Sequence, residues 1–310
     1  MLNYFRCPCC DTTMGETNIV HKLHDALHKW EAQGVVLSQQ TWSNYSDNIS
    51  LRLSQCENCG FGIYLPIVVG NDSFYSEISQ NEYYLSDRWD FQMALKTLQS
   101  TKAHSVLDVG CGRGAFLQQV LNHLPLIDCH GFDANPTIGE YLPISVTLHS
   151  NMIDAPSNFD AVTLFQVLEH VDDPLLLLQQ SIAKVRLGGL VIVSVPDHTG
   201  PIRFFSDSHT EIPPHHVSIW TPKSLNYLLT RLELDILTSR VERLPDYLMP
   251  FYLPKIIVHK LGYFGMLLQE KRIKKFIANP ITILCNMLNI KYLPCRGHTY
   301  FVIAMKNGNS

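Results

Sequence analysis

Apolar positions in the middle of the chain recur as short unbroken runs separated by stretches of helical spacing. Val106, Leu107 and Val109 form the first run, and Phe116, Leu117 and Val120 follow at the spacing of one helix face. Leu126, Ile127, Cys129, Gly131 and Phe132 make a second strand that stops at Asp133. A short helix is predicted from Pro136, a third strand over 144–148 and a fourth over 159–166. Asp173 and Pro174 supply an N-cap and a first-turn proline for a leucine-rich helix predicted to reach Leu187, where Gly188 and Gly189 would end it. A fifth strand over 190–195 closes at Pro196 and Asp197, a helix covers 225–232, and a sixth strand spans 234–240. Apolar strands alternating with helices predict a doubly wound, parallel α/β sheet. Such sheets bind ligands beyond the carboxyl ends of their strands, where Asp108, Asp133, Gln166 and Asp197 fall.

The flanks read differently. Ile19, Leu23, Ala26, Leu27 and Trp30 keep helical spacing, with His21, His24 and His28 on the opposite, solvated face. Segment 42–54 alternates as a hairpin would. Aromatic residues crowd 71–100, and Trp89, Met93 and Leu98 predict a helix packed on the main sheet. Residues 198–220 read as a polar loop and 244–295 as an insertion. Within 255–275, Lys255, Lys260, Lys271, Arg272, Lys274 and Lys275 stand against the single acid Glu270, with Ile256, Ile257, Leu261 and Phe264 interleaved. A basic amphipathic patch suits a membrane surface or an anionic, lipid- or nucleotide-linked molecule; a helical lid with its charges in water is the plainer account.

Composition narrows the class. Of 310 residues 46% are hydrophobic, enough for a large core, and the net charge of −4 gives no general affinity for nucleic acid. No apolar run reaches the roughly 18 residues that a membrane span needs. Residues 1–10 lack the apolar stretch of a signal peptide, so the expected location is cytoplasmic. Nine cysteines in a reducing compartment point to metal or free thiols, not to a disulfide framework. Four of them pair as Cys7-x-x-Cys10 and Cys56-x-x-Cys59, two knuckles offering four thiolates to one structural zinc ion. Residues 11–55 make a longer spacer than common zinc ribbons have, and Cys9 is either a replacement ligand or a spare thiol.

The candidate chemistry centres on Gly110, Gly112 and Gly114, which let the backbone turn sharply after the first strand and let a ligand lie against bare peptide groups. Gly110-x-Gly112-x-x-Ala115 also satisfies the loose dinucleotide pattern, so the glycines alone choose no ligand. Asp108 does. A carboxylate at the strand end repels a pyrophosphate and attracts a cation, and S-adenosylmethionine carries a sulfonium and an ammonium group with no phosphate. Asp133, at the next strand end, stands where a carboxylate accepts hydrogen bonds from ribose hydroxyls; the plainer role is to cap the helix at Pro136.

Asp108-x-Gly110-x-Gly112-x-Gly114 resembles motif I of the class I S-adenosylmethionine-dependent methyltransferases, and Leu168-Glu169-His170-Val171 followed by Asp173-Pro174 resembles a second signature of that family. The resemblance implies a Rossmann-like, seven-stranded doubly wound sheet in which 299–304 is a last strand, antiparallel beside the fifth. A zinc-ribbon-like module at 1–65, as in one branch of the family, and a helical, cofactor-covering segment at 66–100 would precede a methyltransferase domain at 101–310 that carries the 244–295 insertion. It further implies that Asp108, Gly110, Cys111, Gly112, Gly114, Asp133, Ala134, Phe165 and Gln166 hold the cofactor, with Asn151 and Met152 beside adenine. Tyr84 and Arg88 would reach it from the covering segment, Arg88 pairing through its two-pronged donor with the cofactor carboxylate.

Some ubiquinone-type relatives complete a divalent-metal site with a glutamate three residues before the Glu-His pair. Here that position is Gln166, so no catalytic metal is expected, and Glu169 and His170 are read as orienting the loop. The stretch Pro214-His215-His216 ending at Thr221-Pro222 resembles the substrate-side loop of zinc-ribbon-bearing methyltransferases that act on sugars and glycan intermediates. It implies a small-molecule or glycan-intermediate acceptor, methylated on oxygen or carbon. His215 or His216 would take the acceptor proton as general base, or one of them anchors the loop and no base is needed. Two rivals stay open: an NAD(P)-dependent Rossmann oxidoreductase, and a non-catalytic module that binds S-adenosylmethionine and zinc.

Overall fold

The computed structural model describes residues 6–45, 47–79, 88–261, 279–287 and 292–308. The N-terminal part is an antiparallel sheet of β1 (Gly15–Lys22), β2 (Ser50–Gln55) and β3 (Gly62–Leu65), with helices α1 (Leu23–Glu31) and α2 (Gln39–Asn44) between β1 and β2. The helix expected to start near Ile19 starts only at Leu23, because residues 15–16 and 20–22 pair with β2 on either side of an irregularity. Leu23, Ala26, Leu27 and Trp30 are its buried stripe, while Ile19 lies on β1, 40% exposed. The three histidines share no solvated helix face. His21 is on β1 with its ring against Tyr64, and His24 and His28 pack on Trp42. Trp42 lies in α2, capped by the Ser38 hydroxyl, so only the later part of the expected hairpin is strand.

Two helices, α3 (Asp72–Ile78) and α4 (Trp89–Thr101), lead into the main sheet; Tyr84 lies outside the described residues. The chain then runs through β4 (Ser105–Val109), α5 (Ala115–His123), β5 (Asp128–Phe132), β6 (Val146–His149), β7 (Phe159–Phe165), α6 (Pro174–Lys184) and β8 (Val185–Pro196). After a long loop come β9 (Ser218–Ile219), α7 (Pro222–Arg231), β10 (Leu234–Pro245), α8 (Met249–Leu261), α9 (Asn279–Met287) and β11 (Tyr292–Lys306). The main sheet has seven strands in the order β10-β11-β8-β7-β4-β5-β6, with β11 antiparallel to both neighbours and the other pairs parallel. This is the expected Rossmann-like architecture. Alternate residues of its central strands enter opposite cores: Leu107, Val162 and Val191 pack on one face, and Val106, Ala161 and Ile192 on the other. Each fully buried Val, Leu or Ile contributes about 1.5–3 kcal/mol, so these strands anchor everything at their carboxyl ends.

Three boundaries differ from expectation. The Asp173-capped helix stops at Lys184, not Leu187, because Val185 already pairs with Phe159; Gly188, at φ +70°, sits in an irregularity of β8 and caps no helix. β10 and β11 run past the sheet as a two-stranded arm to Pro245 and Tyr292, so α8 and α9 hang from the arm's tip. The loop over 198–220, polar in sequence, is buried throughout 211–220 and lends β9 to the N-terminal sheet, where Gly62 pairs with Ile219. The basic residues Lys271, Arg272, Lys274 and Lys275 lie outside the described residues. No described helix is long and apolar enough to cross a membrane.

Candidate active site and cysteine centre

A cavity of about 680 Å³ opens at the carboxyl ends of β4, β5 and β7. The turn from β4 to α5 forms one wall. Gly110 has φ +72°, and a Cβ there would come within 2.5 Å of Val167; Gly114 has φ +74° and faces Leu142 as closely. Only glycine fits both conformation and space. Asp133 locks this turn: one carboxylate oxygen accepts from the Gly112 N–H at 2.9 Å and the other from the Asn135 N–H at 2.9 Å. Asp108, 3% exposed, accepts the Thr163 hydroxyl at 2.6 Å, and burial pushes its carboxyl up to about 7. A cationic ligand beside Asp108 would restore the charge that burial disfavours.

Of the residues expected at a cofactor, Arg88, Asp108, Gly110, Cys111, Gly112, Asp133, Ala134, Phe165 and Gln166 line this cavity. Gly114 caps α5 just behind it. Asn151 lies in an exposed turn, its side chain accepting from the Ile153 N–H, and Met152 is buried in the core; neither lines the cavity. Arg88 turns its fork on Asp90, at 3.0 and 2.5 Å, and Asp90 also accepts the Ser194 hydroxyl at 2.6 Å. The two-pronged face expected to meet a ligand carboxylate is thus occupied by a neighbour two residues along the chain. Gln166 holds φ +57° at the end of β7, its N–H donating to the Ser194 carbonyl.

The far end of the cavity is a cluster of buried histidines and carboxylates. His215 donates from Nδ1 to the Thr210 carbonyl at 2.7 Å, and His170 from Nδ1 to the His215 carbonyl at 2.8 Å. His216 Nδ1 lies 3.3 Å from Glu211 Oε2, which is also 3.3 Å from His198 Nε2. Burial would raise Glu211, yet His216 and His198 hold it well below the usual carboxylate range. Burial likewise pushes His170 down to about 3 and His215 well below its ordinary value, so both rings are neutral at pH 7. Glu169 is fully buried with neither oxygen hydrogen-bonded, and burial raises it to about 8. Beside them Glu242 is raised to about 7 and His298 lowered to about 4, again by burial. Sequence reasoning found His215 and His216 and read Glu169 and His170 as loop-orienting. It missed Glu211, Glu242 and His298, single residues on distant segments that only the fold brings together.

Some distance away, Cys7, Cys10, Cys56 and Cys59 place their sulfurs within 4.8 Å of one another. Cys7 to Cys59 and Cys10 to Cys56 are each 3.5 Å, close to the roughly 3.8 Å that four bonds of 2.3 Å to a tetrahedral zinc require. The Gly60 N–H reaches the Cys56 carbonyl and the Asp11 N–H the Cys7 carbonyl, closing each knuckle. Cys9 is fully buried and outside this set of four. Helix α7 clamps both knuckles: the Thr221 hydroxyl donates to the Cys59 carbonyl at 2.7 Å, Arg231 to the Pro8 carbonyl at 2.8 Å, and Lys223 to the Asn58 carbonyl.

Comparison with known proteins places the chain in a family. A family model described as a methyltransferase domain matches residues 78–239, more than half of the chain, and the chain belongs to that family. A ubiquinone biosynthesis O-methyltransferase of Paracidovorax citrulli is 29% identical over 110 residues, covering 31% of this chain and 45% of that protein. The mitochondrial enzyme of the same name from Candida albicans is 28% identical over 118 residues, covering 34% and 36%. The chain thus spans less than half the length of these relatives. Among solved structures, a SAM-dependent methyltransferase from Archaeoglobus fulgidus aligns with 70% of this chain and 94% of its own at 19% identity and a TM-score of 0.44. The plantazolicin methyltransferase BpumL in complex with SAH aligns with 70% and 82% at 15% identity and a TM-score of 0.45.

Proposed function

We propose that this protein transfers the methyl group of S-adenosylmethionine to an oxygen of a small hydroxylated molecule, with sugars and glycan-biosynthesis intermediates as the acceptor class. The carrying observation is that one cavity joins the glycine turn, headed by the buried Asp108, to the buried histidine cluster. Bound cofactor supplies a methyl group already activated by a sulfonium. The glycine turn presents bare peptide groups to the nucleoside, and Asp108 favours positive charge. Asp133 keeps the turn in shape and retains lone pairs for ribose hydroxyls. The protein's remaining task is alignment of the acceptor oxygen with the methyl carbon and removal of the hydroxyl proton. As the oxygen–carbon bond forms, the carbon–sulfur bond breaks and its electron pair stays on sulfur. The cluster of His170, His215 and His216 activates the hydroxyl, and Glu242 and His298 lie where they would recognise further polar groups of the acceptor.

Both relatives are named as O-methyltransferases, which supports oxygen over carbon. We assign a structural zinc ion to the four cysteines, because four thiolates leave no open coordination position. Methyl-labelled cofactor incubated with a panel of nucleotide-linked sugars tests the acceptor class. Transfer to one of them supports it, and transfer only to aromatic hydroxyls overturns it. Calorimetry separates the activity from an oxidoreductase: adenosylhomocysteine binds and NADH does not.

A further inference from the structure

The tip of the β10–β11 arm differs in charge and in surface from the rest of the chain. Helix α8 packs Met249, Tyr252 and Ile256 with Leu244 and Phe205, and Ile281 of α9 joins the same small core. Other apolar side chains are left outside: Phe251 is 54% exposed, Ile283 59%, Leu284 54% and Met287 79%. Ile283, Leu284 and Met287 share one face of α9, so they form a patch and not scattered points. Neither helix contains an aspartate or glutamate. Instead α8 carries Lys255, His259 and Lys260, and Arg203 stands on the neighbouring turn over Phe204, whose ring also meets His259. Continuing from α8 toward α9, the sequence adds Lys271, Arg272, Lys274 and Lys275 against the single acid Glu270. The whole chain carries −4, so its acidic excess lies entirely outside this stretch.

Exposed apolar side chains among basic ones, with almost no acid, fit one kind of surface. A helix turned to water carries charges of both signs, and the buried centre of a protein interface is depleted of charge. A bilayer with anionic headgroups meets both needs: an acyl boundary for the apolar face and negative charge for the lysines. At 13 and 9 residues, α8 and α9 are too short to cross, so they would lie on the surface. We propose that the tip of the arm, α8 and α9 with the basic residues that join them in sequence, docks on an anionic bilayer surface. Glu242 and His298, on the two strands of the arm, line the cavity, so an arm seated on a bilayer holds the cavity beside it. The inference goes beyond the methyl-transfer reading and does not depend on it.

Sedimentation of the full chain with phosphatidylcholine vesicles, with and without phosphatidylglycerol, tests it, with adenosylhomocysteine binding measured by calorimetry in parallel. The expected result is binding at least about tenfold tighter to the phosphatidylglycerol vesicles, and lost in high salt. Leu284→Ser with Met287→Ser weakens that binding at least about fivefold, and Lys274→Gln with Lys275→Gln at least about tenfold. Both double variants keep adenosylhomocysteine affinity within about twofold, which guards against a variant that misfolds. No binding to either vesicle, or equal binding to both, overturns the proposal, as does binding unchanged in both variants. A chain that is dimeric without vesicles and monomeric in the first variant also overturns it, because a second copy then covers the patch. Vesicle binding without adenosylhomocysteine binding keeps the surface and sinks the methyltransferase reading.

Discussion

The Thr163 hydroxyl donates to Asp108 Oδ1 at 2.6 Å, both side chains being buried beneath the glycine turn. This bond opposes the burial that raises Asp108 to about 7, so it sets how much negative charge the cavity offers near neutral pH. Thr163→Val keeps the shape and removes the donor. Adenosylmethionine affinity at pH 7 is expected to fall about 5- to 10-fold, and less at pH 8.5, where Asp108 ionises in either case. Calorimetry at both pH values checks it; equal losses at both would contradict the charge argument.

The same carboxyl makes the unliganded protein pH-sensitive. A group whose folded pKa lies above its unfolded value holds its proton more tightly when folded. Stability due to Asp108 is therefore full below about pH 4 and declines as pH rises toward 7, at about 1.4 kcal/mol per pKa unit. Cofactor binding runs the other way, because positive charge favours ionised Asp108, so its affinity rises with pH over that range. Asp108→Asn is expected to flatten both profiles, measured by denaturant titration and calorimetry.

Glu242 is a stability cost held at the histidine end of the cavity. It is buried, Oε2 has no hydrogen-bond partner, and its pKa is raised to about 7. Ionisation above that value is unfavourable in the fold. Glu242→Gln is thus expected to raise the melting temperature by a few degrees at pH 8 and by less at pH 5, while lowering turnover. A variant that is no more stable at pH 8 than wild type would refute this.

Loss of a zinc ion held by the four cysteines should reach the cavity through α7 and β9. The knuckles hold Thr221, Lys223 and Arg231, and β3 pairs with β9 directly after His216. Cys56→Ser, or chelation, is expected to lower the melting temperature by at least about 5 °C and to depress turnover at saturating cofactor, since metal-binding energy is folding energy. Activity that survives full zinc removal would separate the two parts.

Gly110→Ala is expected to cost about 1–2 kcal/mol from the positive φ alone, with a further cost from the contact at Val167. Adding Val167→Ala relieves the contact but not the strain, so cofactor affinity should recover only in part. Full recovery would mean that crowding, not backbone conformation, demands glycine here.

Local chemistry made much of this protein readable from its residues. Runs such as Val106–Val109 and 159–165 are apolar because both sheet faces are covered, and Asp173-Pro174 starts a helix by a bond four residues long. The glycine turn, Asp108, Asp133 and the two cysteine knuckles were likewise written in short spacings. Elements whose hydrogen-bond partners are distant in sequence were not. β1 displaced a predicted helix turn because β2 offered partners some 30 residues away, and β8 claimed Val185 from the helix because Phe159 was waiting.

The amino-acid order alone therefore settled the layered sheet, the glycine turn and the thiolate set, all of which depend on neighbours within a few residues. Only the fold decided that Arg88 faces Asp90, that Met152 lies in the core, and that His170, three segments away from His215 and His216, meets them over a buried Glu169. Burial and long-range contact set those positions and their charges, and neither has a signature in local spacing.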